Sequence, residues 1–210
     1  MSVHLPDFNN RVLDRFIVVA ESSHLNLIIV LNKIDLDDSS ISERLKKFYE
    51  DIGYKFLLTS AETNFGIDEL HSNLSGSKNL FCGHSGVGKS SLLNKMFPQL
   101  RLKIGEVSKS TTKGKHTTVT STMRKVEENT FIIDTPGIRE IDPYGIKKID
   151  LGYYFVEFTD FLNNCKFNTC THHHEPGCAV VKAVEAGSIK PERYESYLRM
   201  LDTIEDDLDF

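Results

Sequence analysis

The segment Gly83-His84-Ser85-Gly86-Val87-Gly88-Lys89-Ser90 has the residue types and spacing of a loop that wraps phosphate groups. Its glycines let successive backbone N–H groups turn toward an anion, and a helix starting at Ser90 would add its positive end. Lys89 is spaced to reach the terminal phosphates, and the Ser90 hydroxyl, with Ser91 adjoining, to ligate Mg2+. Such a loop does not choose a base. Asn32-Lys33-Ile34-Asp35 supplies that choice, because the Asp35 carboxylate can accept both N–H donors of guanine, which adenine does not offer. The aliphatic stem of Lys33 would lie along base and ribose. Ser60-Ala61, after Thr59, would support the base through backbone N–H groups.

Asp134-Thr135-Pro136-Gly137 completes the set. Asp134 would hold Mg2+ through water, and Gly137 would offer its N–H to a γ-phosphate and act as the pivot of a switch loop. Thr117 and Thr118 lie between the two motifs, and one of them, assigned as Thr118, would complete the magnesium shell in the triphosphate state. The residue after Gly137 is the apolar Ile138, where Ras places the glutamine that orients the attacking water. Isoleucine cannot orient water, so intrinsic hydrolysis is expected to be slow. His116 is the in-chain residue with the chemistry to take that role.

A second constellation lies near the C-terminus. Cys165, Cys170, a histidine and Cys178 make a Cys3His set suited to a closed, tetrahedral zinc site, one ion per chain, with no position left for catalytic water. Spacing favours His172, but His173 or His174 could take its place. Cys82, before the phosphate loop, is expected to be a buried apolar filler.

These residues need elements to carry them. Leu27–Leu31 is a short β-branched run that suits a buried parallel strand ending at Asn32, whereas Phe16–Ala20 fits a strand or a buried helix equally. Ser40–Ile52 has helical spacing, with Asp38, Ser39 or Ser40 as cap and Gly53 as stop. A strand at 55–59, a helix at 67–74, a strand at 79–82 and a helix at 90–97 follow. An antiparallel pair at 117–126 and 130–133 ends on Asp134. The alternation implies an α/β fold. The pattern turns helical after Ile149, so the domains are placed at 1–149 for nucleotide binding and 150–210 for the helical zinc module.

The formal charge of −5 excludes bulk attraction to nucleic acid, so any such contact must be local. Candidate basic patches are Arg101, Lys103, Lys109, Lys113 and Lys115 against Glu106, and a face carrying Lys182, Lys190, Arg193 and Arg199. The acidic end at Glu205–Asp209 reads as solvated. No apolar run approaches the ~18 residues of a membrane span, and no secretory signal is evident, which points to the cytoplasm.

The order of the motifs narrows the class. In Ras-like GTPases the phosphate loop comes first and the guanine reader much later; here Asn32 precedes Gly83 by about fifty residues. A P-loop GTPase cut and rejoined, that is circularly permuted, accounts for this order. The chain resembles the ribosome small-subunit-dependent GTPase A family, which has this permutation. The resemblance rests on Phe8–Arg15, Leu31–Leu36, Gly83–Leu92, Lys113–Thr118, Ile133–Arg139 and Cys165–Val180. It implies guanine contacts at Asn32, Lys33 and Asp35, phosphate contacts from Gly83 to Ser90, and zinc on Cys165, Cys170, His172 and Cys178. It also implies GTP/GDP and Mg2+ as cofactors and slow hydrolysis stimulated by the small ribosomal subunit. The small subunit and its rRNA would be the partners, and a monomer without DNA or membrane contacts is expected. Family members carry an N-terminal OB-type barrel that this sequence does not include, and Val119 stands where a third threonine is usual. The competing reading is a nucleotide-sensing rRNA clamp in which hydrolysis has no function.

Overall fold

The computed structural model describes residues 1–103, 122–134 and 145–204. In chain order its elements are α1 (Asn10–Ser22), β1 (Ile28–Leu31), α2 (Ile41–Asp51), β2 (Lys55–Leu58), α3 (Ile67–Leu74), β3 (Lys78–Leu80), α4 (Lys89–Met96), β4 (Thr122–Glu127), β5 (Thr130–Asp134), α5 (Thr159–Leu162), α6 (Ala179–Glu185) and α7 (Pro191–Leu201). Two compact units emerge: Met1–Phe8 with Ile28–Glu140, and Asn9–Leu27 with Ile141–Phe210. Among the described residues no helix is long and apolar enough to cross a membrane.

In the first unit β1 pairs in parallel with β2, from Ile28 opposite Lys55 to Leu31 opposite Leu58. Ser2 adds an isolated parallel bridge to Asn32. β3 pairs in parallel with β5, whose other edge takes β4 antiparallel. Helix α3 turns Ile67, Leu70 and Leu74 inward, the i, i+3, i+7 stripe of an amphipathic helix, against Leu57, Leu92, Leu93 and Ile132. Helix α2 is capped one residue earlier than its sequence suggests. Ser40 makes no side-chain cap bond; the Asp37 carboxylate instead accepts from the N–H groups of Ser39 (3.2 Å), Ile41 (3.2 Å) and Ser42 (2.8 Å). The Ser42 hydroxyl and these N–H donors hold the Asp37 carboxyl at about 2.

The second unit has its own core of Val18, Leu151, Phe155, Phe158, Val180, Tyr197 and Met200. α1 belongs to this unit although it precedes β1 in the chain. The ambiguous Phe16–Ala20 run is helical: Asn9 caps α1 by accepting from the N–H groups of Arg11 (3.1 Å) and Val12 (3.4 Å). The fully buried Asp14 also fixes its phase, because its carboxylate receives a hydrogen bond from Arg193. Arg193 is 1% exposed, also donates to Glu157 (2.6 and 3.2 Å), and lies 4.5 Å over the Phe155 ring. It is therefore a core cation, not part of a basic face for RNA. Replacing Arg193 by Met would leave Asp14 and Glu157 without their shared counter-charge. The expected loss is about 3–5 kcal/mol of stability, measured by denaturant unfolding.

Candidate functional site

β3 leads into the phosphate loop and α4 leaves it, so Ser90 and Ser91 sit half-buried in the first turn of α4. The Lys89 ammonium is folded back into the loop, donating to the carbonyls of Gly83 (2.6 Å) and His84 (2.9 Å). Ser85 and Gly86 are the exposed rim of the loop, and Val87 is buried beneath it. Gly88 has φ +96°, and a Cβ added there would come within 2.2 Å of the Asn32 side-chain nitrogen.

That contact points to the centre of the site. Spacing assigns Asn32 to the base; in the structure it is 2% exposed, and its amide ties three segments together. Its Nδ2 donates to the Val87 carbonyl (2.9 Å), while its Oδ1 accepts from the Ala61 N–H (3.2 Å) and the Thr59 hydroxyl (3.3 Å). One buried side chain thus fixes the phosphate loop against the strand ends that carry the base reader, a positioning role no local motif displays. Lys33 adopts the left-handed conformation, φ +65°, and its Nζ donates to the Leu5 carbonyl. Asp35 is exposed and accepts a hydrogen bond from the fully buried Ser60 hydroxyl, which in turn accepts from the Thr63 N–H (3.1 Å). Ser60 therefore orients the Asp35 carboxylate with its side chain, a contact separate from the backbone support for the base expected of this loop.

β5 ends at Asp134. His116, Thr117, Thr118 and Gly137, with Lys109, Lys113 and Lys115 of the basic run, lie outside the described residues. Cys82 is only half-buried; burial pushes its thiol up, and Lys89 partly offsets this.

In the second unit the ligand atoms of Cys165, Cys170, His172 and Cys178 all lie within 4.8 Å of one another. The Nδ1 of His172 is 3.5 Å from the sulfurs of both Cys165 and Cys178, and those sulfurs are 3.9 Å apart. Edges of a zinc tetrahedron with ordinary bond lengths are roughly 3.5–3.8 Å, so the group fits one zinc ion. His173 and His174 are exposed on the outside of the turn, which leaves His172 as the imidazole brought to the sulfurs. Burial lowers the His172 pKa, which keeps the imidazole neutral as a ligand must be.

The supporting residues were not legible as such. A Cβ on Gly152 would meet the His172 ring at 3.0–3.1 Å, so any larger residue would push the ring by a few tenths of an ångström. Tyr194 and Tyr197 donate to the carbonyls of His172 (2.8 Å) and Thr171 (2.7 Å). Glu175 gathers the turn by accepting from Thr171 N–H and hydroxyl (both 2.6 Å) and from the N–H groups of His173 (3.0 Å) and His174 (3.2 Å). Burial alone would raise the Glu175 carboxyl, yet these bonds hold it at about 2. The N–H groups of Ala179 and Val181 each donate to a cysteine sulfur, at 3.4 Å, which stabilises thiolate charge.

A family model described as RsgA GTPase matches residues 1–144. A protein of Chlorobaculum parvum named small ribosomal subunit biogenesis GTPase RsgA is 46% identical over 201 residues, covering 96% of this chain and 65% of that protein. One of the same name from Phocaeicola vulgatus is 40% identical over 209 residues, covering 98% and 67%. The chain thus spans about two thirds of the length of these relatives. Among solved structures, YjeQ from Thermotoga maritima superposes with TM-score 0.80 at 36% identity, over 96% of this chain and 68% of that one. YloQ, described as a circularly permuted GTPase, superposes with TM-score 0.77 at 29% identity, over 96% and 65%. The fold is that of the circularly permuted GTPases.

Proposed function

Because the chain belongs to the RsgA GTPase family, we propose that it is a slow, magnesium-dependent GTP hydrolase acting in late maturation of the small ribosomal subunit. The observation that carries this reading is the Asn32 strut, which joins a guanine-type reading loop to a phosphate loop through a single buried amide. Asp35, oriented by Ser60, would hold the base, with Lys33 along it. The loop from Gly83 to Ser91 would hold the phosphates, and Ser90, Thr118 and Asp134 the Mg2+, which neutralises charge on the transferred phosphate when bound. Gly137 would sense the γ-phosphate and His116 would orient water, the task Ile138 cannot perform.

The Cys3His group would serve as a structural anchor, since four protein ligands exclude catalytic water. The partner would be the small subunit through its rRNA, met in the cytoplasm by a monomer that engages neither DNA nor membrane. The domain roles follow: nucleotide chemistry within 1–149 and a zinc module within 150–210. Ile138 also supports a second reading, a nucleotide-sensing rRNA clamp whose hydrolysis has no function.

Single-turnover GTP hydrolysis with Mg2+, with and without purified small subunits, tests both. Stimulation of about tenfold or more, some 1.4 kcal/mol off the barrier, is the expected result. Unchanged hydrolysis with tight GDP binding retained would favour the clamp.

A further inference from the structure

We propose that Ser2 is a positioning residue for guanine-nucleotide binding, acting through the Leu5–Pro6 turn on the Lys33 ammonium, a role that rests on the guanine site proposed above. Ser2 pairs with Asn32 in the isolated parallel bridge beside β1. The Asn32 N–H donates to the Met1 carbonyl (3.0 Å), and the Asn32 carbonyl accepts from the Val3 N–H (3.2 Å). The stretch therefore lies against the end of that strand. Ser2 is 1% exposed there, and its hydroxyl donates to the Pro6 carbonyl at 2.7 Å. One buried hydroxyl closes the turn that follows it.

The turn touches both halves of the nucleotide site. At its corner the Leu5 carbonyl accepts from Lys33 Nζ, in the loop assigned to the base. On its other side it meets the phosphate loop: a Cβ added to Gly86 would stand 3.6 Å from Pro6 Cδ and 4.0 Å from the Leu5 carbonyl oxygen. Burial does not hold the corner in place, since Leu5 is 66% exposed. Leu5 also has φ +52°, a conformation that a non-glycine residue keeps only where its surroundings impose it. The Ser2–Pro6 hydrogen bond supplies one such constraint.

The consequence for binding follows from the length of lysine. Its stem is flexible, and fixing it costs conformational entropy. Tethered at Leu5, the Lys33 stem has its direction set before nucleotide arrives, from a backbone at φ +65°. An ammonium has three donors, so the Leu5 carbonyl and a ribose oxygen can be served together. The turn thus preorganises Lys33 without competing with the ligand. Without the Ser2 hydroxyl, the Pro6 carbonyl loses its donor, the turn gains freedom, and the ligand must order Lys33 as it binds. The loss falls on the nucleoside more than on the phosphates, because Lys33 serves base and ribose.

The test is calorimetric titration of the 210-residue chain with GDP, ADP and inorganic pyrophosphate, for wild type, Ser2→Ala, Lys33→Met and the double variant. Lys33→Met keeps the apolar stem and removes the ammonium that Leu5 holds. Ser2→Ala is expected to weaken GDP about fivefold, close to ~1 kcal/mol, while pyrophosphate stays within about twofold. In the Lys33→Met background the same change should weaken GDP less than about twofold, the non-additivity of two residues acting through one contact. Thermal unfolding like that of wild type reports that a variant is folded. Pro6→Gly, at an exposed position, loosens the same turn and should give the same Lys33-dependent loss, which carries the test where Ser2→Ala does not fold.

A wild type that prefers GDP to ADP, with GDP affinity unchanged in Ser2→Ala and Pro6→Gly, overturns the role of Ser2 and keeps the guanine site. An equal loss with and without the Lys33 ammonium also overturns it, because the effect then bypasses Lys33. Pyrophosphate weakened as much as GDP overturns it too, since that outcome marks general damage to the site. A wild type that binds ADP as tightly as GDP removes the guanine site itself, and the positioning role with it.

Discussion

Cys170→Ser, or removal of zinc by a strong chelator, is expected to unfold the second unit while the first retains GDP. Three of the four residues expected to hold zinc in that unit are buried. Cys170, His172 and Cys178 are 5%, 5% and 3% exposed, and both cysteines belong to the same core as Phe158 and Tyr197. Without the ion, that core must accommodate three thiols, and burial pushes Cys170 up to about 12, so the group is neutral and held by little except packing. Few regular elements would compensate. α5 and α6 have four and seven residues, too short to persist alone. Structural zinc supplies on the order of 10 kcal/mol in small modules, more than a unit of this size can replace. Hydrogen exchange reports the outcome directly, as loss of protection across Ala179–Leu201, alongside loss of one bound zinc. Exposed His173 and His174 provide the contrast, since their replacement by Ala should shift stability by no more than about 0.5 kcal/mol. A Cys170→Ser protein that keeps one tight zinc and full protection of α6 and α7 would refute the ligand set.

The parts of this molecule that are legible in its sequence are those whose chemistry is local in the chain. The phosphate loop spans eight consecutive residues, the base reader four, and the cysteines lie within fourteen, so spacing alone carries their meaning. Strands β1, β2 and β5 were legible for the same reason, as short apolar runs between polar turns. What the chain does not announce is any pairing formed at long range. Asn32 and Val87 are 55 residues apart, and Asp14 and Arg193 are 179 apart. Each reads as an ordinary motif or surface residue until the fold brings its partner.

The α1 segment shows why. Five apolar residues at Phe16–Ala20 satisfy either period, and what decides for a helix is the Asn9 cap together with a partner for Asp14 from far along the chain. His172 shows the converse. Spacing favours His172 among three adjacent histidines without excluding the other two, and the room left by Gly152 beside the His172 ring helps distinguish them. Arg193 was misplaced on a surface because charged residues usually lie there, and this one is paid for by two carboxylates and an aromatic ring.

Gly88→Ala should damage base selection as well as phosphate binding, although Gly88 belongs to the phosphate loop. Two costs coincide at that position. The φ of +96° is one that L-residues avoid, at roughly 1–2 kcal/mol. The new Cβ would also stand 2.2 Å from Asn32 Nδ2, and the buried amide has no free direction in which to retreat, being held at Val87, Ala61 and Thr59. Moving it strands the Val87 carbonyl or the Ala61 N–H, at about 1–3 kcal/mol for a buried group left unpaired. Together these approach about 3 kcal/mol, equivalent to roughly a hundredfold loss of GDP affinity if the bound conformation bears the cost. The diagnostic result is the ratio between nucleotides. A defect confined to the loop would weaken GDP and inorganic pyrophosphate alike. A defect transmitted through Asn32 weakens GDP more than pyrophosphate, because only GDP uses the base reader that the strut positions. Equal losses for the two ligands, measured by calorimetric titration, would show that the strut does not couple the loop to the base site.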